Sequence, residues 1–378
     1  MKRSVPRGFF SVTTHRLTRN KWWVALRFTH PTKAMENTDP NTSAQPLWSR
    51  LIERALAFLQ RRPWLLPLLS FSAGWISFAL VQRGERMARG IAVLVLLGWI
   101  GLLAEDFLSS WIVRLSRGQL SEKLLYFATQ SLQQEIFFFA LPFLIGATHG
   151  DPGQMIFCGI VVIAALASTL DPIYMTRIAS AGSSSVLFHA FCSFLAGLVV
   201  LPIALQLPLE KAVPLSLALT AALSLLCVPR MFAGVSRRRG MLRIGVVLTL
   251  LVLTWFARSH IPPAGLWVKQ AVITASVSDD LEPGPALQKV AAADLAAGVN
   301  AFVAIHAPLG LAQSVTFEWV HEGDPLDRIA ATIKGGREAG YRTYSRKQNF
   351  PLNSPGHWTV NLRTPDGQLI CRMDFEVE

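Results

Sequence analysis

A polar stripe interrupts an otherwise apolar stretch at residues 126–147: Gln130, Ser131, Gln134 and Glu135. Gln130/Gln134 and Ser131/Glu135 stand four residues apart, so on a helix they share a face. Polar side chains inside a bilayer are costly and are functional candidates by default. Asp171, at the end of the next apolar stretch, and His189, within the one after it, could face this stripe. A carboxylate and an imidazole so placed could relay protons or hold a substrate. The competing role is hydrogen bonding between helices, worth about 0.6–2 kcal/mol per bond. One acid and one His are few for a transporter, and no interrupted helices recur in matching halves. Interhelical bonding is therefore the stronger reading of Gln130, Gln134, Glu135, Asp171 and His189.

A second constellation lies near the C-terminus. In 341–347, Arg342, Tyr344 and Arg346 alternate with Tyr341, Thr343, Ser345 and Lys347. On a strand, alternate residues share a face. Arg342, Tyr344, Arg346 and Lys347 are candidates for binding an anionic glycan or lipid headgroup, since guanidinium groups make paired contacts to such anions. The plainer reading is a solvated face paired with acids such as Glu322, Asp324 and Asp327, and Trp319, His321 and Trp358 read as core.

Nothing resembles a catalytic set: there is no HExxH, GxSxG or Walker-type loop. Cys158, Cys192 and Cys227 lie in apolar stretches and Cys371 stands alone in the tail, without zinc spacing. No catalytic residue, cofactor or metal is expected, and the reading leans away from an enzyme.

The elements that must position these residues divide near Arg258. The 378 residues are 51% hydrophobic and 16% charged, against about 25% charged in a soluble domain. Apolar stretches of 17 to 22 residues recur at 64–82, 90–108, 126–147, 152–170, 186–205, 212–228 and 241–257. About 20 apolar residues cross a bilayer as a helix, so a seven-helix transmembrane bundle is expected over 64–257. Residues 1–63 form a basic arm and 258–268 a linker, with Pro262 and Pro263 stopping the helix and Trp267 suited to a headgroup belt. The first 20 residues lack the apolar core of a signal peptide. The composition of 1–34 is poorly suited to folding and leaves Met35 as an alternative start to Met1.

The net charge of +12 is uneven: twelve Lys and Arg face three acids over 1–63, fourteen face eight over 64–267, and ten face thirteen over 268–378. The arm reads as anchored beside anionic lipid; no nucleic-acid motif accompanies it. Arg230, Arg237–Arg239, Arg114, Arg117 and Lys123 fall on the side of the arm, whereas His149-Gly-Asp151 and Lys211 lie opposite. Basic loops stay cytoplasmic, which places the N-terminus inside and the C-terminus outside. Arg83, Arg86 and Arg89 oppose this orientation.

The tail, 269–378, alternates with period two. Strands are expected at 269–277, 299–306, 314–321, 327–334, 341–347, 357–363 and 368–377, with a polar, Ala-rich excursion at 278–298. Thr364-Pro-Asp-Gly367 is a hairpin turn in which Pro presets φ and Gly takes the positive-φ position. Seven short strands suggest a small antiparallel all-β sandwich, immunoglobulin-like but without its Cys…Trp…Cys pattern.

On these residues the chain resembles a known family. Phe317-Glu-Trp319-Val-His321-Glu-Gly323, the 341–347 run, Gly356-His-Trp358-Thr-Val360 and Asp366-Gly-Gln368 are similar to an uncharacterised bacterial domain found at the C-terminus of envelope proteins. Thr129-Gln-Ser-Leu-Gln-Gln-Glu135 and Leu141-Pro-Phe143 resemble the inner-membrane module that often precedes it. The resemblance covers roughly 60–378 and implies architecture and location rather than chemistry. Tyr341 and Tyr344 occupy the central motif where Trp is usual.

The leading expectation is an inner-membrane protein, its partners the lipid bilayer and an envelope protein or glycan bound or positioned by a periplasmic sandwich. The alternative is a membrane-embedded transporter or enzyme built on Glu135 and His189. A sensor signalling through the loop from Arg230 to Arg239 ranks last.

Overall fold

Asp151-Pro152 illustrates how this sequence sets its helix boundaries. Asp151 is the N-cap, its Oδ1 accepting the Gln154 N–H at 3.0 Å, and Pro152 fills the first helical position, where no N–H is needed. The computed structural model describes Arg62, residues 64–83, Gly90, Val93 and residues 122–378, apart from 180–181, 206, 227, 233–234, 308–311 and 336–339. Helices come first: α1 (Leu65–Arg83), α2 (Glu122–Ala147), α3 (Pro152–Thr169), α4 (Gly182–Leu205), α5 (Ala212–Leu226), α6 (Val228–Phe232) and α7 (Arg237–Phe256). After α3 come a turn, Asp171–Ile173, and a π-helix, Tyr174–Ala179.

Among the described residues, three helical segments are long and apolar enough to cross a membrane: Pro152–Thr169, Ser184–Pro202 and Arg237–His260. This corrects the expected seven-helix bundle. At 15 residues, α5 reaches only about 22 Å of a hydrocarbon core near 30 Å. The apolar stretch of α1 is Pro67–Ile76, and α2 is diluted by its polar stripe. Apart from Gly90 and Val93, the stretch expected at 90–108 lies outside the described residues, as do the basic arm apart from Arg62 and both proposed starts. On α3 and α7, Ile156, Ile163, Leu242, Leu248 and Phe256 are exposed.

Helices α1 and α2 run in the same direction. Phe71 meets Phe138 edge-on at 5.7 Å, and Phe78 meets Phe143 at 5.2 Å. Their backbones are close enough at Gly74 that a Cβ there would stand 2.2 Å from the Phe138 carbonyl oxygen.

The helices are followed by antiparallel sheets. Strands β1 (Trp267–Thr274), β3 (Val299–His306) and β6 (Tyr341–Lys347) form one, in the order β1-β3-β6. The other has the order β2-β8-β7-β4-β5, from β2 (Lys289–Val290), β4 (Ala312–His321), β5 (Asp324–Lys334), β7 (Gly356–Arg363) and β8 (Leu369–Val377). The seven expected strands are thus present, 299–306 and 341–347 with the expected bounds and the other five with shifted ends. The 278–298 excursion adds the two-residue β2, which pairs parallel with β8, and a 3-10 helix, Ala292–Ala297.

Alternation sets which side chains meet between the sheets. Val315, Phe317 and Trp319 of β4, Trp358, Val360 and Leu362 of β7, and Cys371, Met373 and Phe375 of β8 are buried. Trp319 Nε1 donates to Ser345 Oγ at 3.0 Å, linking the larger sheet to β6 of the smaller. The β7–β8 turn forms as expected: the Gly367 N–H donates to the Thr364 carbonyl at 2.9 Å, with Gly367 at φ +95°.

Candidate functional site

The stripe on α2 is a set of interhelical contacts. Gln130 Nε2 donates to the Ser168 carbonyl at 2.9 Å and to Asp171 Oδ1 at 2.8 Å, tying α2 to the end of α3. The buried Tyr174 hydroxyl donates to Gln133 Oε1 at 2.9 Å. Glu135 is hydrogen-bonded to Ser70 of α1. Gln134 is buried and its Nε2 has no partner among the described residues. His189 is half-buried on α4, and among the described residues no hydrogen bond or ion pair joins it to Glu135 or Asp171. Sequence reasoning brought Gln130 and Asp171 together and missed Gln133, although Gln130, Gln133 and Gln134 carry the three-and-four spacing of one helix face.

The β6 candidates do not converge. Arg342, Tyr344 and Arg346 point away from the sandwich core; Lys347 points into it, 5% exposed. Lys347 pairs with Asp327 and lies over the Phe350 and Trp358 rings at 5.5 and 5.8 Å. Arg342 Nη1 bonds Glu282 Oε1 at 2.6 Å, and Arg346 Nη2 donates to the Ala297 carbonyl at 2.8 Å. Each cation already has a protein partner. Asp327 is among the expected acids; Glu282 comes from the excursion and was not foreseen.

A denser constellation occurs where the sheets meet the helix ends. Gln154, in the first turn of α3 and 1% exposed, donates from Nε2 to the Leu369 carbonyl of β8 at 2.6 Å. Its Oε1 accepts the His149 N–H at 3.4 Å. Asp151 Oδ1 lies 3.5 Å from His260 Nδ1, and Oδ2 lies 3.9 Å from Arg372 Nη2. The Leu209 N–H donates to the buried Gln313 Oε1 at 2.8 Å, and Gln368 Nε2 donates to the Ile261 carbonyl at 3.1 Å. Arg258 Nε bonds the Asp366 carbonyl.

Two glycines make this approach possible. A Cβ at Gly146 would stand 2.6 Å from Trp267 Nε1, and one at Gly153 would stand 2.2 Å from His260 Nδ1. Trp267 therefore does not sit in a headgroup belt. It opens β1, buried against Phe78 and His306 at 5.4 and 5.2 Å. Burial holds the His149 imidazole below its ordinary pKa and raises the Asp366 carboxyl, which a hydrogen bond from Thr364 partly offsets. The junction can fix orientation; it presents no nucleophile beside a base. Its one readable signal was the Asp151-Pro-Gly-Gln154 start, which resembles a capping box; the long-range partners leave no local pattern. Among the described residues, no group of His, Cys, Asp and Glu could hold a metal ion.

Comparison with known families places residues 45–301 in a family of unknown function (DUF5924) and residues 312–377 in a protein family of unknown function (DUF2914). The boundary falls inside the β region: β1, β2 and the first residues of β3 lie in the first match, the rest of β3 lies in neither, and β4 to β8 lie in the second. No curated protein matches the chain. No solved structure matches it.

Proposed function

The chain belongs to the family of unknown function DUF5924, and we propose that it is an integral membrane protein that holds a β-sandwich against the outer ends of its helices to bind or position a cell-envelope component. The observation that carries this reading is the junction. The sheets are fastened to the helix ends by buried hydrogen bonds, donated by the Gln154 and Gln368 side chains and accepted by that of Gln313, and helices and sheets form one compact unit, Arg61–Glu378. A module meant only to swing on a tether would need none of these bonds.

The membrane part of the proposal is supported by the exposed apolar faces of α3 and α7, larger than a water-facing surface ordinarily carries. Orientation is supported by charge. Of the helix ends nearest the sheets, the 148–151 connection has no Lys or Arg and 207–211 has Lys211 alone, with Arg83 at the end of α1 and Arg258 after α7; Arg177, Arg230 and Arg237–Arg239, a larger number, lie at the other ends. By the positive-inside tendency, the sandwich faces out of the cytoplasm, here the bacterial periplasm. The strand order supports an immunoglobulin-like reading: setting β2 aside, the first, second and fifth strands form one sheet and the third, fourth, sixth and seventh the other, so only the fourth is moved from the constant-type arrangement.

A reporter fused after Glu378 that is active only outside the cytoplasm should be active, and its cytoplasmic counterpart silent. The reverse result ends the envelope-facing reading. The component itself is sought by crosslinking the full chain in membranes, with a glycan or an envelope protein as the expected adduct.

One observation favours a second reading, a membrane-embedded site: the buried Gln134 Nε2, one residue from Glu135, has no partner among the described residues. On that reading Glu135→Gln abolishes a phenotype that survives deletion of the tail. A silent Glu135→Gln leaves the stripe as interhelical bonding.

A further inference from the structure

We infer that the groove between α4 and α7 binds an anionic phospholipid, with its phosphate on Arg239 and Arg243 and an acyl chain lying along α7. The inference rests on the reading that α7 lies in a bilayer. The groove holds about 360 Å³ and is walled by Val186 and Leu187 of α4, Met231 of α6 and Val247 of α7, with the two arginines at one end. A second cavity of about 220 Å³ shares Leu187 and Val247 and continues along α7 as far as Thr254. From Arg239 to Thr254 is fifteen residues, about 22 Å of helix, longer than the roughly 15 Å hydrocarbon depth of one leaflet.

The lining states the chemistry of the occupant. Thr220 and Thr254 are the polar members of the second cavity, and each hydroxyl is already given to a carbonyl of its own helix, Ser216 at 2.7 Å and Leu250 at 2.8 Å. Neither hydroxyl has a proton left to donate, and the other side chains lining this cavity are apolar, so the long part of the ligand is hydrocarbon. The end is the opposite. Arg237, Arg238, Arg239 and Arg243 lie within seven residues, and none has a carboxylate partner among the described residues. Arg243 Nη1 donates to the Met231 carbonyl at 2.9 Å, which holds that guanidinium at the mouth of the groove with further N–H groups unspent. A cationic mouth above an apolar slot complements an anionic head on an acyl chain. The same end carries the basic loops, so the lipid belongs to the cytoplasmic leaflet.

The test is native mass spectrometry of the full chain in detergent with equal amounts of dioleoyl phosphatidylglycerol and dioleoyl phosphatidylcholine. The wild type should retain phosphatidylglycerol selectively. Arg239→Gln, at an exposed position, should weaken that binding about fivefold, the worth of one basic residue near an anionic surface, without changing phosphatidylcholine. Val246→Trp, which keeps both arginines and fills the groove, should weaken phosphatidylglycerol as well. Equal retention of the two lipids, or unchanged phosphatidylglycerol in both variants, overturns the proposal. Displacement by millimolar inorganic phosphate also overturns it, because the site would then belong to a free anion. Alkaline carbonate extraction reads the membrane premise separately: a released chain removes that premise, whereas an embedded chain without lipid preference removes this inference alone.

Discussion

Trp319→Ala should open the β-sandwich of the full-length chain and expose Cys371 to alkylation, while the helices remain embedded. Trp319 is 0% exposed, and its ring meets Phe350 and Phe375 at 6.5 and 6.4 Å. Truncating a buried Trp costs about 3–5 kcal/mol, a large share of the roughly 5–15 kcal/mol that holds a typical domain folded. The loss is concentrated because Trp319 joins the two sheets through Ser345, whose buried hydroxyl would lose its donor. Cys371 reports the outcome. It is buried on β8 and its thiol pKa is pushed up to about 12 by that burial, so little thiolate exists at pH 8 while the domain is closed. In the variant, alkylation located at Cys371 by peptide mass spectrometry should accelerate at least a hundredfold, the lower bound that about 3 kcal/mol of extra opening implies. A Cys371 as protected as in the wild type would show that the inter-sheet contact contributes little. Cys158 and Cys192, buried in helices, should be unchanged and serve as internal controls.

That Cys371 faces the core was legible from β8 alone, because Leu369, Cys371, Met373, Phe375 and Val377 alternate with charged residues and period two is a local signal. Ile370 breaks the pattern. It sits on the outward set with Arg372, yet it is buried, because at that end β8 faces the α2–α3 loop and Asp151. No local rule could announce a helix end arriving from more than 200 residues away. The helices show the same division. Apolar stretches were visible, but their number was overcounted, since a stretch such as 212–228 reads as one span and folds as the 15-residue α5 followed by the short α6. The candidate site fared likewise. Gln130 and Asp171 could be paired from spacing and neighbouring stretches. The separation of Lys347 from Arg342 follows from strand alternation, whereas its partnership with Asp327 depends on how β5 lies beside β6. Gln368 stood in a family motif that named no partner for it, and Gln313 carried no signal: a Gln in a strand looks solvent-facing until a helix end covers it.

Gln154→Leu should loosen the sandwich from the helices without unfolding either. Leu occupies a similar volume but offers neither donor nor acceptor, so the buried Leu369 carbonyl and the half-buried His149 N–H would each lose a partner. An unsatisfied buried polar group costs about 1–3 kcal/mol, and the Leu369 carbonyl would be one. Hydrogen exchange on the full chain in detergent should show 148–151 and the start of β8 opening about 5- to 150-fold more often, with the centres of β4 and β7 unaffected. Fast exchange throughout both sheets would mean that the junction stabilises the sandwich itself rather than its attachment. Gln154→Glu separates the hydrogen bond from mere packing. It preserves shape but sets a carboxylate oxygen against the Leu369 carbonyl, acceptor facing acceptor, so it should loosen the junction at least as much as Leu. If Gln154→Glu instead exchanges like the wild type, side-chain volume rather than donation to Leu369 holds the sheet against the helices. The buried hydrogen bonds would then no longer be what fixes the sandwich in one orientation.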